Sequence, residues 1–153
     1  MAEFSSFGLD ELMLSLSEIA EIPEEVQDEI LNAQADVTLE AQKNTVRAYG
    51  IYDEENTGTH VAESLKKCKV KLRKKDGTRV IYITPAGSRK RGGKRRWSKV
   101  TTTRNAEILF VNEYGKKGQK ARPAIRDANE KSAGKATQAA MEVYDRRLKS
   151  KDL

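Results

Sequence analysis

The charges of this chain are sorted along its length. From Met1 to Ser64 there are 15 acidic residues against only two cations, Lys43 and Arg47, a balance of −13. From Leu65 to Leu153 there are 27 basic and 8 acidic residues, a balance of +19, so the overall +6 conceals two blocks of opposite sign. Such blocks can pair within one fold, pair between neighbouring copies, or leave a basic face for phosphate. The 153 residues suit a single domain spanning 1–153. With 37% hydrophobic and 6% aromatic residues, they fill a modest core under a very polar surface.

Several function classes drop out early. The longest apolar runs, Val80-Ile81-Tyr82-Ile83 and Ile108-Leu109-Phe110-Val111, fall far short of the ~20 residues that cross a bilayer, so no membrane partner is expected. Met1-Ala2-Glu3-Phe4-Ser5-Ser6 lacks the basic and apolar regions of a secretory leader, which makes a cytoplasm the expected compartment. One cysteine, Cys68, and one histidine, His60, make neither an internal disulfide nor a standard zinc set, so no metal or cofactor is expected. No serine or cysteine has the context of a nucleophile elbow, and Gly92-Gly93-Lys94 lacks the spacing of a phosphate-binding loop. An enzyme is not expected.

Periodicity predicts an α+β fold. Leu9, Leu12, Met13, Leu16 and Ile19 lie at three- and four-residue steps, predicting a short amphipathic helix over Phe7 to Ala20. Pro23, followed by Glu24, Glu25, Asp28 and Glu29, opens a long helix that runs to Tyr49 and stops at Gly50. Two apolar stripes, one through Val26, Ile30 and Ala33 and one through Leu31, Ala35 and Leu39, predict contact on two sides. Ser64 to Arg73 reads as a half-exposed strand. Lys75-Asp76-Gly77-Thr78 reads as a type I′ hairpin turn, and Val80 to Thr84 as the return strand. Cys68 then sits on a strand as a small core or edge residue. Ala106 to Tyr114, AEILFVNEY, is the most hydrophobic segment and is expected as a central strand. Pro123 opens a last helix to about Leu148, with a small-residue face of Ala128, Ala136, Ala139 and Ala140. The expected whole is long N-terminal helices, a small, mainly antiparallel sheet of three to four strands with a basic loop, and a C-terminal helix packed on the sheet.

The sharpest local feature is Gly87 to Lys99, GSRKRGGKRRWSK, with seven cations and no acid. It cannot pack a core, so it is expected as a mobile loop or the tip of an extended β-arm. Arg89, Lys90, Arg91, Lys94, Arg95, Arg96 and Lys99 could neutralise phosphates, and Trp97 could stack on a base. Lys116, Lys117, Lys120 and Arg122 form a second basic loop. Both loops suit nucleic acid or an acidic protein surface, and Trp97 alone does not choose between them.

Two segments also resemble a known family. Thr57-Gly58-Thr59-His60-Val61-Ala62-Glu63-Ser64-Leu65 looks like a Thr-Gly, apolar, small-acidic, Ser-Leu run leading into a first strand. Val111-Asn112-Glu113-Tyr114-Gly115, followed by Ala121-Arg122-Pro123-Ala124-Ile125-Arg126-Asp127-Ala128, looks like a Glu-aromatic-Gly, short loop and Arg-Pro helix start. Together with the order of elements, they resemble the neck or tail-completion proteins of long-tailed double-stranded DNA phages, the Hong Kong 97-type tail-component family. The family-motif positions are Thr57, Gly58, Ser64, Glu113, Tyr114, Gly115 and Pro123. Ala124 departs from the pattern, which usually has a bulky aromatic there, and the Gly87 to Lys99 loop is longer and more basic. The resemblance implies a non-enzymatic virion component at the head–tail junction, made in the host bacterial cytoplasm. It further implies self-association as a ring, hexameric in the virion, between a head-closure or connector protein and a tail terminator or tail tube protein, with phage DNA as a further contact. The alternative is a small basic nucleic-acid-binding protein that uses the 89–99 and 116–122 loops.

Overall fold

The computed structural model describes residues 22–51, 61–75, 77–91 and 101–150. The predicted helix over Phe7 to Ala20 and the Thr57-Gly58 motif lie outside them. Within them the chain is α+β, with two long helices, one short one and antiparallel strand pairs.

Helix α1 (Glu24–Ala48) starts as the sequence predicts: the carbonyl of Pro23 accepts from the N–H groups of Val26 and Gln27, and Glu24 and Glu25 face the positive end of the helix dipole. Its other end is a Schellman motif. Gly50, at φ 63°, donates to Arg47 O and Ile51 donates to Val46 O, so two last-turn carbonyls are satisfied. The same turn drives Ile51 and Val46 into the core.

After a 3₁₀ turn (Val61–Ser64), strands β1 (Leu65–Lys67), β2 (Lys71–Leu72), β3 (Arg79–Val80) and β4 (Ile83–Pro85) form one hairpin in two ladders. The register slips by one residue between Lys67↔Ile83 and Lys71↔Val80, so Cys68 to Val70 opposes Ile81-Tyr82 as a bulge. The Cys68 N–H still reaches Tyr82 O at 2.8 Å. Leu65 is buried while Leu72 is exposed. This bulge divides the strands expected at Ser64 to Arg73 and Val80 to Thr84, and places Cys68 just beyond β1. The hairpin turn also differs from a type I′ pair: Gly77 donates to Arg73 O and Arg73 to Thr78 O, closing a longer loop with Gly77 at φ 69°.

Strands β5 (Ser88–Arg91) and β6 (Thr101–Arg104) pair from Ser88↔Arg104 to Arg91↔Thr101. The described part of the basic insertion is therefore a β-arm, about 10 Å long at the usual strand rise. Its tip, including Lys94, Arg95, Arg96, Trp97 and Lys99, lies outside the described residues.

One element reverses its expectation. AEILFVNEY is not a central strand but helix α2 (Asn105–Tyr114). Its start is fixed by buried Asn105, whose Nδ2 donates to Ala86 O at 2.6 Å, and by Glu107, which accepts from the Arg104 backbone N–H at 3.3 Å. A continuous apolar run does not distinguish a buried strand from a short helix; the local caps do.

Helix α3 (Ala124–Ser150) packs mainly against α1 rather than the strands, because Ala128, Ser132, Ala136 and Val143 form a narrow buried face that lets the two backbones approach closely. Strands and the 3₁₀ turn cover another side of α1, which accounts for its two stripes. The core is small: Val46, Ile51, Val61, Ala62, Leu65, Leu109 and Ala124, where α1 ends and α3 begins.

Candidate functional site

Three of the motif positions, Glu113, Gly115 and Pro123, meet at one junction. The Glu113 carboxylate, on the last turn of α2, accepts from the backbone N–H groups of Ile125 and Arg126, each at 2.9 Å. These are first-turn donors of α3 with no partner inside the helix, so one carboxylate caps the C-terminal helix from another element. Gly115 follows at φ 78°, and a Cβ there would stand 2.9 Å from Gln119 O and 3.0 Å from Ala121 N. Only glycine fits both the left-handed backbone and the space. Pro123 then leads into α3, and its carbonyl accepts from Asp127 N at 3.0 Å. Tyr114 is largely exposed. Ser64 Oγ donates to Val61 O at 2.6 Å and closes the 3₁₀ turn ahead of β1.

Two polar residues at this junction escaped the sequence reading. Asn112 is buried; its Oδ1 accepts from Arg122 Nη2 at 2.6 Å and Gln119 Nε2 at 3.3 Å, and its Nδ2 donates to Ile108 O. Asp127 accepts the phenol of Tyr49, which ties the end of α1 to the start of α3. That hydrogen bond first, then partial burial and the Asp127 and Glu113 charges, holds the Tyr49 phenol above its usual value. The available signal was an asparagine inside an apolar run, which needs a buried partner.

The proposed contact residues separate. Arg122, reckoned with the second basic loop, turns its guanidinium inward to Tyr49 O at 3.1 Å and to Asn112. Lys116, Lys117 and Lys120 remain exposed around a tight turn bridged between Lys116 and Gln119. Arg89, Lys90 and Arg91 lie on β5.

The two charge blocks pair partly within the chain. Arg79 binds Glu24 and Asp28, Lys67 binds Asp36 at 2.6 Å, and Arg146 binds Glu29 at 3.1 Å. The acids of α1 are thus partly spent on their own chain. Exposed pairs of this kind contribute about 0–1 kcal/mol each, so they orient α1 more than they stabilise it.

Above the junction opens a groove of about 580 Å³ between α2, the β1–β4 ladder and the start of α3. Leu65, Leu109, Ile83 and Ile125 line its depth, and Phe110 and Tyr114 stand at its side. Among the described residues, no helix is long and apolar enough to cross a membrane. No family model, curated protein or solved structure matches the chain.

Proposed function

We propose that this chain is a structural subunit of the head–tail junction of a long-tailed double-stranded DNA phage or prophage. In this reading it forms part of a neck or tail-completion ring and performs no catalysis. The observation that carries it is the Glu113 to Pro123 junction: Glu113, Gly115 and Pro123, three of the positions behind the resemblance, are the ones that set the start of α3. A ring subunit needs two different faces that meet head to tail, and a chain with segregated charge offers them. Because α1 already binds Arg79, Lys67 and Arg146, its acidic face supplies only part of such a contact. Negative-stain imaging of the full chain mixed with the connector of its phage tests the role. Rings stacked coaxially on the connector are expected; connector particles that never acquire the extra layer would overturn it.

One feature favours a second reading, a basic nucleic-acid-binding protein. The β5–β6 pair is a two-stranded ribbon carrying Arg89, Lys90 and Arg91 into the cation-rich 92–99 segment, and such a ribbon has the width to enter a DNA major groove. Filter binding separates the two. Tight binding with a steep salt dependence, abolished by neutralising the seven cations between Gly87 and Lys99, would favour nucleic acid as the main partner. Weak binding indifferent to sequence leaves the ring reading ahead.

A further inference from the structure

The β1–β4 hairpin sorts its charges by face. Between Leu65 and Ala86 the sequence holds eight cations and one acid, Asp76. Leu65 is buried, Lys67 binds Asp36, and Arg79 binds Glu24 and Asp28, so one face of the hairpin lies toward α1 and the core. Side chains alternate along a strand, and residues directly opposite one another share a face. Lys66 opposes Thr84 and Lys71 opposes Val80, which places all four on the other, outer face. Cys68 Sγ lies 3.7 Å from Thr84 Oγ1 on that same side. Tyr82, midway between Val80 and Thr84, joins them and is 46% exposed.

The bulge is what brings these lysines to one face. Lys66 and Lys71 are an odd number of residues apart, so unbroken alternation would turn Lys71 inward beside Lys67. The extra residue between Cys68 and Val70 returns Lys71 to the outer face and sets Leu72 opposite Arg79 on the inner one. Lys69 within the bulge, and Lys74 and Lys75 at the turn, are also exposed. Among the described residues, the side chains of Lys66, Lys69, Lys71, Lys74 and Lys75 meet no acid and no other hydrogen-bonding partner. The inner cations are thus neutralised by α1, while the outer ones surround a half-exposed ring.

That combination selects a ligand. Lysines attract phosphates whatever the sequence, and an aromatic ring among them is a platform for an unpaired base. An acidic protein surface would match the cations and leave Tyr82 without a role, and duplex DNA would keep its bases stacked away from the ring. We infer that the outer face of the β1–β4 hairpin binds single-stranded nucleic acid, with its lysines on the phosphates and Tyr82 against a base. The surface shares no residue with the 89–99 and 116–122 loops, so it adds to the second reading of function, and it does not depend on ring formation.

Fluorescence anisotropy of the full chain with a labelled oligothymidylate about 16 nucleotides long, over a range of salt concentrations, tests it. Binding that weakens steeply with salt is expected. Lys66→Gln, Lys69→Gln and Lys71→Gln together should lower the slope of log affinity against log salt by about 2, the share of three phosphate contacts on a single strand. Lys131→Gln with Lys135→Gln on α3, equally exposed, should leave the slope as it is. Tyr82→Ala should weaken binding at least about fivefold at the parent's slope, and Tyr82→Phe should restore it, with circular dichroism unchanged in every variant. No binding by the parent chain, an unchanged slope in the triple lysine variant, or parental affinity in Tyr82→Ala would each overturn the inference. Polyglutamate bound as tightly as the oligonucleotide would also overturn it, by assigning the face to acidic proteins. If neutralising the seven cations between Gly87 and Lys99 alone removes all binding, the inference fails while the second reading of function stands.

Discussion

At Glu113 a single carboxylate holds two first-turn N–H groups of α3, so its loss should be felt along the whole C-terminal helix. Glu113→Ala is expected to cost about 1–2 kcal/mol, read as a lower urea midpoint at unchanged slope. Glycines at the same junction separate strain from space. Gly115→Ala meets both a positive φ and backbone atoms at 2.9 and 3.0 Å, whereas Gly118→Ala meets a positive φ and open surroundings. The first should therefore destabilise clearly more than the second, whose cost stays near the ~1 kcal/mol of a left-handed non-glycine; equal losses would contradict the geometry. Tyr49 adds a pH dependence. Its phenol keeps its proton in the fold because Asp127 accepts it, so the folded chain binds that proton more tightly than the unfolded one. This stabilisation is complete below the ordinary tyrosine value and is lost as pH rises above about 10 towards the raised folded value. Tyr49→Phe should lose less stability than the parent chain over that alkaline range. The sequence marked Glu113, Gly115 and Pro123 as a motif, yet the cap needs a contact across a reversal of the chain, which spacing alone does not reveal.

Punctuation made the long elements legible. Pro23 and Gly50 bound α1, Pro123 precedes α3, and alanines mark the face by which α3 approaches its partner. Ala128 is fully buried on that face, so Ala128→Leu should cost roughly 1–3 kcal/mol by overpacking, seen as a lower melting temperature. Shorter elements were less legible because their states are set by neighbours. AEILFVNEY carries no helical period strong enough to exclude a strand; as α2 its first residue, Asn105, is anchored by donating to Ala86 O, Glu107 accepts from the Arg104 N–H, and Asn112 gathers Arg122 and Gln119 at its last turn. In the hairpin, one extra residue at Cys68 to Val70 splits each strand in two. Alternation in the sequence foretold the pairing but not the slip.

Across the whole molecule, the −13 and +19 blocks divide between internal and external work. Arg79, Lys67 and Arg146 hold α1 within the chain, while Lys116, Lys117 and Lys120 remain as an exposed basic surface. The sequence predicted the opposed blocks and the α+β class. How far the blocks neutralise each other follows from the packing of α1, which brings residues far apart in sequence into contact. The groove beside Phe110 and Tyr114 was equally hidden, since both residues were assigned to a central strand. A chain with so small a core and exposed aromatic surface is expected to gain stability on self-association. Mass photometry of the full chain, over a range of concentrations at low and high salt and with and without its connector, addresses that self-association directly. A discrete closed oligomer that grows in with concentration or connector is expected, whereas a monomer under every condition would contradict the ring-subunit reading.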